Sequence, residues 1–143
     1  MLLTRTSRTI PALLTCASIL FAGASQAGVR EDQLAQYASA AKAQTPGFAG
    51  FSAERGKALH MQDFTGGKPD TPACTSCHGK DTRSTGRAPS GKTVDAMAIS
   101  VTPARYTDPA KVEKWFKRNC TEVLGRVCTP QEKGDWLTFM LGQ

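Results

Sequence analysis

The stretch PACTSCHGK, residues 72–80, packs Cys74, Cys77 and His78 into five positions. Four chemistries suit two thiols and an imidazole this close: a redox dithiol, half a zinc site, a structural bridge, or a covalently attached haem. A thioredoxin-like dithiol sits beside a βαβ unit, and no stretch of this chain alternates apolar and polar residues as a half-buried strand does. Zinc needs four ligands in a closed tetrahedron, which would have to draw in the distant Cys120 and Cys128. In Cys-x-x-Cys-His the two thiols can bond the two vinyl groups of one porphyrin while the adjacent imidazole binds its iron. The macrocycle dictates that spacing. The expectation is one covalently attached haem c on Cys74 and Cys77, with His78 as axial ligand.

Ahead of this motif, Arg5 and Arg8 precede an apolar run from Ile10 to Ala24, followed by Ser25-Gln26-Ala27. That pattern reads as a secretory signal peptide over residues 1–27, cleaved after Ala27. The run is too short and mixed for a membrane span. Cys16 lies in a poor lipoprotein-like context and is set aside. Export to the periplasm would put Cys74, Cys77, Cys120 and Cys128 where thiols oxidise or are capped, so a Cys120–Cys128 disulfide is favoured over a shared zinc site.

The chain has 143 residues, 18 basic and 12 acidic. Losing Arg5 and Arg8 leaves a mild positive balance, with no basic cluster interleaved with stacking aromatics, so nucleic acid is excluded as a partner. A docking surface for acidic partners suits the charge better. What remains after the leader makes one small domain, whose modest core a bound cofactor would complete.

Helical spacing dominates, and the expected fold is all-α. Leu34, Tyr37, Ala38 and Ala41 mark a helix over 31–45, ended by Pro46-Gly47. Ser52 can cap a second helix to about Gln62. Residues 65–91 are rich in Gly, Pro, Ser, Thr and Lys and read as loop, with one helical turn at the motif. Thr107 is the expected cap of a helix with Pro109 in its first turn. Thr129-Pro130-Gln131-Glu132 has the capping-box pattern of a last helix, which turns Trp136, Leu137, Met140 and Leu141 inward. In the helix AKVEKWFKRNC, Val112, Trp115, Phe116 and Asn119 occupy i, i+3, i+4 and i+7, putting an amide on an apolar stripe. A buried amide without partners costs about 1–3 kcal/mol, so Asn119 calls for an iron ligand role or an ordinary hydrogen bond.

With its Cys-x-x-Cys-His motif the chain resembles the c-type cytochromes. Gly56, near Leu59 and His60, stands where such folds let the first core helix cross the last, and Trp136 supplies the aromatic partner. His60 stands where those proteins usually have an aromatic. KWFKRNCTEVLGRVCT (residues 114–129) is similar to the segment that marks the sphaeroides haem protein family, small exported monohaem cytochromes c. The matching residues are Arg118, Asn119, Cys120, Gly125, Arg126 and Cys128. The resemblance implies a small class I cytochrome c-like fold, Asn119 as a sixth iron ligand, and a disulfide beginning at Cys120.

The implied organisation is a signal peptide (1–27), an N-terminal helical extension (28–50) and a haem domain (51–143). The implied function is to accept electrons from a redox partner, a dihaem or membrane cytochrome, and to bind a diatomic ligand at iron once reduction loosens Asn119. Trp115 and Phe116 would border that site. Membrane contact would come only through the partner. Lys111, Lys114 and Arg118 are the expected steering charges. The alternative is a plain electron carrier with Met97 or His60 as permanent sixth ligand. A haem oxidoreductase acting on oxygen or nitrogen oxides is a third reading, for which no second acid or base is evident.

Overall fold

A computed structural model describes residues 21–143, the side chains of 21–25 excepted. The expected signal peptide, Arg5, Arg8 and Cys16 included, falls largely outside the described residues. Five helices follow in order: α1 Phe21–Gln44, α2 Ala53–Met61, the single turn α3 Thr75–His78, α4 Pro109–Leu124 and α5 Pro130–Leu141. The fold is helical, as expected. The loop-like middle of the chain also holds a short antiparallel hairpin, β1 Gly86–Arg87 and β2 Thr93–Val94, which two-residue strands are too brief to announce by alternation. None of the described helices is long and apolar enough to cross a membrane.

Local signals set most of the ends. Ser52 caps α2 by accepting from the Arg55 amide. Thr129 and Glu132 form a reciprocal capping box at α5. The α4 cap is corrected by one residue: Asp108, not Thr107, accepts from the Lys111 amide, while the Thr107 hydroxyl donates to the Ala104 carbonyl. Proline at the first helical position leaves the choice of cap to the residue just before it, and Asp108 holds that place. Gly125 closes α4 in the left-handed region at φ +74°.

The core is built where α2 crosses α5. A Cβ on Gly56 would lie 2.0 Å from the Asp135 carbonyl oxygen, so only glycine permits this approach. The Asp135 carboxylate fastens the crossing, accepting from the Ser52 amide at 2.7 Å and from Nε and Nη2 of the Arg55 guanidinium, each at 2.8 Å. Leu137 and Met140 are completely enclosed.

The 28–50 extension is not packed as a separate unit. Tyr37 and Ala41 of α1 are buried in the shared core, and the Tyr37 hydroxyl donates to Glu113 of α4. Arg30 donates to the Arg105 carbonyl at 2.8 Å, which ties the start of α1 to the loop before α4.

Cys120 and Cys128 form a disulfide across the α4–α5 turn. Arg126 stiffens the same turn through a two-pronged pair with Glu132, at 2.7 and 2.8 Å. Reducing the bridge is expected to lower unfolding free energy by about 2.5 kcal/mol on the chain-entropy view of so short a loop. If Asn119 holds iron as the family resemblance implies, the spectrum of the haem-loaded protein should move as well, since Cys120 follows Asn119 directly. Denaturant titrations with and without reductant measure the first effect; two titratable thiols at these positions in the native, unreduced protein would refute the pairing.

Candidate haem site

Backbone bonding inside the motif turns the sequence spacing into a geometry. The His78 amide donates to the Cys74 carbonyl at 3.1 Å and the Gly79 amide to the Thr75 carbonyl at 2.9 Å. One helical turn therefore separates Cys74 from Cys77 and brings both to one side of α3. The Ala73 amide donates to the Ser76 hydroxyl at 3.2 Å and secures the start of the turn. From behind, β1 presses on it: a Cβ on Gly86 would lie 1.9 Å from the Cys77 carbonyl oxygen.

The electrostatics distinguish among the chemistries open to these residues. Cys74 and Cys77 are unpaired and half-buried. Burial pushes the Cys74 thiol up to about 11. Burial, then the Glu122 and Asp70 carboxylates, raises Cys77. A redox dithiol or a zinc site works through easily formed thiolates, which burial of these thiols does not favour. The disulfide removes Cys120 and Cys128 as zinc ligands, and the described residues contain no cluster of three or more His, Cys, Asp or Glu able to hold a metal. Burial, then His60 and Arg105, pushes His78 down to about 4. It is therefore a neutral imidazole at ordinary pH, the form that binds metal. Its Nδ1 is buried and lacks a partner. Two unpaired thiols one turn apart and a neutral, under-partnered imidazole fit a covalently held haem, which Cys74 and Cys77 would hold through thioethers and His78 through its imidazole.

His60 is completely buried. Its Nε2–H donates to the Gly79 carbonyl at 3.1 Å, and its Nδ1 accepts from the Trp136 indole at 3.4 Å. A carbonyl can only accept and an indole N–H can only donate, which fixes the tautomer. Both ring nitrogens are thus engaged, and His60 braces the residue after His78 against α5. This arrangement speaks against His60 as an iron ligand.

Met97 is also enclosed. Its amide donates to the Thr82 carbonyl at 2.8 Å, its carbonyl accepts from the Tyr106 hydroxyl at 2.9 Å, and its side chain packs in the apolar core. On α4 the buried face is Val112, Phe116, Cys120 and Val123. Trp115 and Asn119 lie one turn apart on the adjoining flank, Asn119 half-buried and Trp115 44 % exposed. The expected stripe of Val112, Trp115, Phe116 and Asn119 is therefore divided: Phe116 turns into the core against Trp136, ring centroids 5.5 Å apart, and Trp115 sits under the Arg118 guanidinium.

Several supports had no sequence signal. Thr82 is buried, and its carbonyl accepts from both the Met97 and Ala98 amides. Arg105 holds the Asp95 and Ala96 carbonyls at 2.7 and 2.5 Å. Gly67 lets the loop before the motif lie on the end of α4, where the Lys68 amide donates to the Glu122 carbonyl at 2.7 Å.

Comparisons with known proteins agree with this site. The chain is 54 % identical over 91 residues to cytochrome c-type protein SHP of Cereibacter sphaeroides, covering 64 % of this chain and 70 % of the relative. A solved structure of oxidized SHP, described as an oxygen-binding cytochrome c, matches with a TM-score of 0.74 at 47 % identity, over 80 % of this chain and 96 % of that one. The solution structure of cytochrome c'' from Methylophilus methylotrophus matches with a TM-score of 0.69 at 29 % identity, over 80 % and 93 % of the two chains. A family described as a domain of unknown function, DUF1924, matches residues 46–140. With the Cys-x-x-Cys-His turn, the helical fold and these relatives in agreement, the chain belongs to the DUF1924 family as an SHP-like c-type cytochrome with a site for one covalently bound haem c.

Proposed function

We propose that this ligand-binding monohaem cytochrome is exported to the periplasm, accepts electrons from a redox partner, and takes up a diatomic ligand (dioxygen, nitric oxide or carbon monoxide) when reduction releases Asn119 from iron. The observation that carries this reading is Asn119 itself: a half-buried amide on the flank of α4, beside Trp115 and followed directly by the disulfide at Cys120. The bridge restrains the backbone beside the amide. The relatives lend support, since oxidized SHP is described as an oxygen-binding cytochrome c and the solution work on cytochrome c'' concerns haem-ligand detachment.

The bound haem supplies an iron whose ligand preference changes with its charge. An amide oxygen is a hard donor, suited to ferric iron and poorly suited to the softer ferrous ion. Asn119 is the residue that would hold the ferric position and be released on reduction, and its amide N–H would then be available to donate to an incoming diatomic. Trp115, 44 % exposed, would border that position. Lys111, Lys114, Lys117 and Arg118 are all exposed on α4, a positive flank that steers an acidic donor such as a dihaem or membrane cytochrome.

Absorbance of the reduced protein with and without carbon monoxide tests the reading: a high-spin ferrous spectrum that shifts on adding the gas is expected. Asn119→Ala should open the ferric iron to azide, speeding its uptake at least tenfold, whereas Met97→Ala should leave the ferric spectrum nearly unchanged. A lost low-spin signal in Met97→Ala, with Asn119→Ala unaltered, would make the protein an ordinary electron carrier.

A further inference from the structure

A run of aromatic edges leads from the haem-binding turn across the core. His60, bonded to the Gly79 carbonyl, lies 6.4 Å from the Trp136 ring centroid. Trp136 meets Phe116 edge-on at 5.5 Å, and Phe116 meets Tyr37 edge-on at 6.1 Å. A branch runs from Trp136 to Tyr106 at 5.9 Å. The chain contains two tyrosines, and both are buried.

What each hydroxyl faces separates them. Tyr106 donates to the Met97 carbonyl at 2.9 Å, an amide oxygen too weakly basic to take its proton. Tyr37 donates to a carboxylate oxygen of Glu113. The other Glu113 oxygen accepts from the Lys133 ammonium at 2.6 Å, and Gln33 donates to the Tyr37 oxygen at 3.1 Å. Burial alone would raise Glu113, but Lys133 and Tyr37 outweigh it and hold the carboxyl below its ordinary range. Burial, then Glu113, pushes Tyr37 well above the usual phenol range, so Tyr37 keeps its proton at rest.

A phenol that loses an electron becomes a strong acid, and inside a protein its proton needs a base within hydrogen-bond reach. Lys133 Nζ lies 5.6 Å from the Tyr37 centroid and 5.9 Å from that of Phe116, which disfavours a positively charged ring. Oxidation of Tyr37 is therefore tied to proton transfer onto Glu113.

We propose that Tyr37 and Glu113 form a second redox site, a proton-coupled electron donor wired to the haem-binding turn through Phe116 and Trp136, which acts when a hydroperoxide is reduced at the haem. The proposal rests on the haem reading above. The hydroperoxide takes two electrons and two solvent protons; its O–O bond breaks to give an alcohol and one water, or two waters from hydrogen peroxide. One electron comes from ferrous iron, which becomes ferric. The other comes from Tyr37, whose O–H bond breaks as an O–H bond forms on Glu113, leaving a neutral phenoxyl radical and a protonated carboxyl. The oxidising equivalent is drawn away from His78 and the porphyrin.

The experiment adds one equivalent of hydrogen peroxide to the reduced holoprotein, freezes it and records the electron paramagnetic resonance spectrum. A tyrosyl signal that narrows with ring-deuterated tyrosine is expected. Tyr37→Phe and Glu113→Gln should each reduce it at least tenfold, while Tyr106→Phe keeps it. Absorbance of the same samples before peroxide reports the haem separately. No tyrosyl signal from protein with its haem spectrum intact overturns this inference and leaves the haem reading standing. A signal that survives Tyr37→Phe, or one that vanishes in Tyr106→Phe alone, also overturns it; the latter variant settles the question even if Tyr37→Phe folds poorly.

Discussion

Cys74→Ala combined with Cys77→Ala is expected to abolish covalent haem attachment and with it much of the stability of the fold. The two thiols are unpaired, one helical turn apart, and raised by burial, so they have no other evident chemistry in this environment. Acid and organic extraction should leave haem on the wild-type protein and remove all of it from the double variant. A ligand present at a thousand times its dissociation constant stabilises by about 4 kcal/mol, and a permanently attached one acts at least as strongly, so a loss of roughly 4 kcal/mol or more is expected in denaturant titrations. His78→Ala should preserve attachment but change the ferric spectrum. Haem that stays on the double variant, or that washes out of the wild type, would defeat the assignment.

Gly56→Ala should be among the most damaging single-methyl changes in the described residues. The added Cβ would lie 2.0 Å from the Asp135 carbonyl oxygen and 2.9 Å from Phe139 Cβ, and backbone cannot step aside as a flexible side chain can. Helices α2 and α5 must separate, which also pulls Asp135 from Arg55 and the Ser52 amide. Overpacking a well-filled core costs about 1–3 kcal/mol; here the obstacle is backbone and the buried carboxylate loses partners too, so roughly 3 kcal/mol or more is expected. The His60 brace on Gly79 rides on α2, and the haem spectrum should broaden in parallel. An unchanged denaturation midpoint would show that the crossing yields more easily than its geometry implies.

The features legible in advance were those in which a few neighbouring residues decide a backbone shape. The five-residue motif dictates a single helical turn, because its bonds join the Cys74 and Thr75 carbonyls to amides at most four residues away. The capping box at Thr129 and the Ser52 cap are local in the same sense. Gly56 was legible through family resemblance, since a lone glycine in a helix does not by itself name the helix it will meet.

The sequence by itself therefore determined the helical class, the haem attachment turn and several helix ends, though not the start of α1, which lies at Phe21 and not at Glu31. Tertiary structure alone decided which side chains share a surface. His60 became a brace because Gly79 and Trp136 reach it from 19 and 76 residues away. Tyr37, an ordinary member of an apolar stripe by spacing, acquired a carboxylate partner 76 residues on, and that carboxylate an ammonium 20 residues further. On α4 the helical period placed Trp115, Phe116 and Asn119 on neighbouring faces, but only packing against α1 and α5 divided them, with Phe116 drawn inside and Trp115 and Asn119 left on the flank. The physical reason is one of range: hydrogen-bond periodicity and capping act within about four residues, whereas burial and pairing depend on which elements the folded chain brings together.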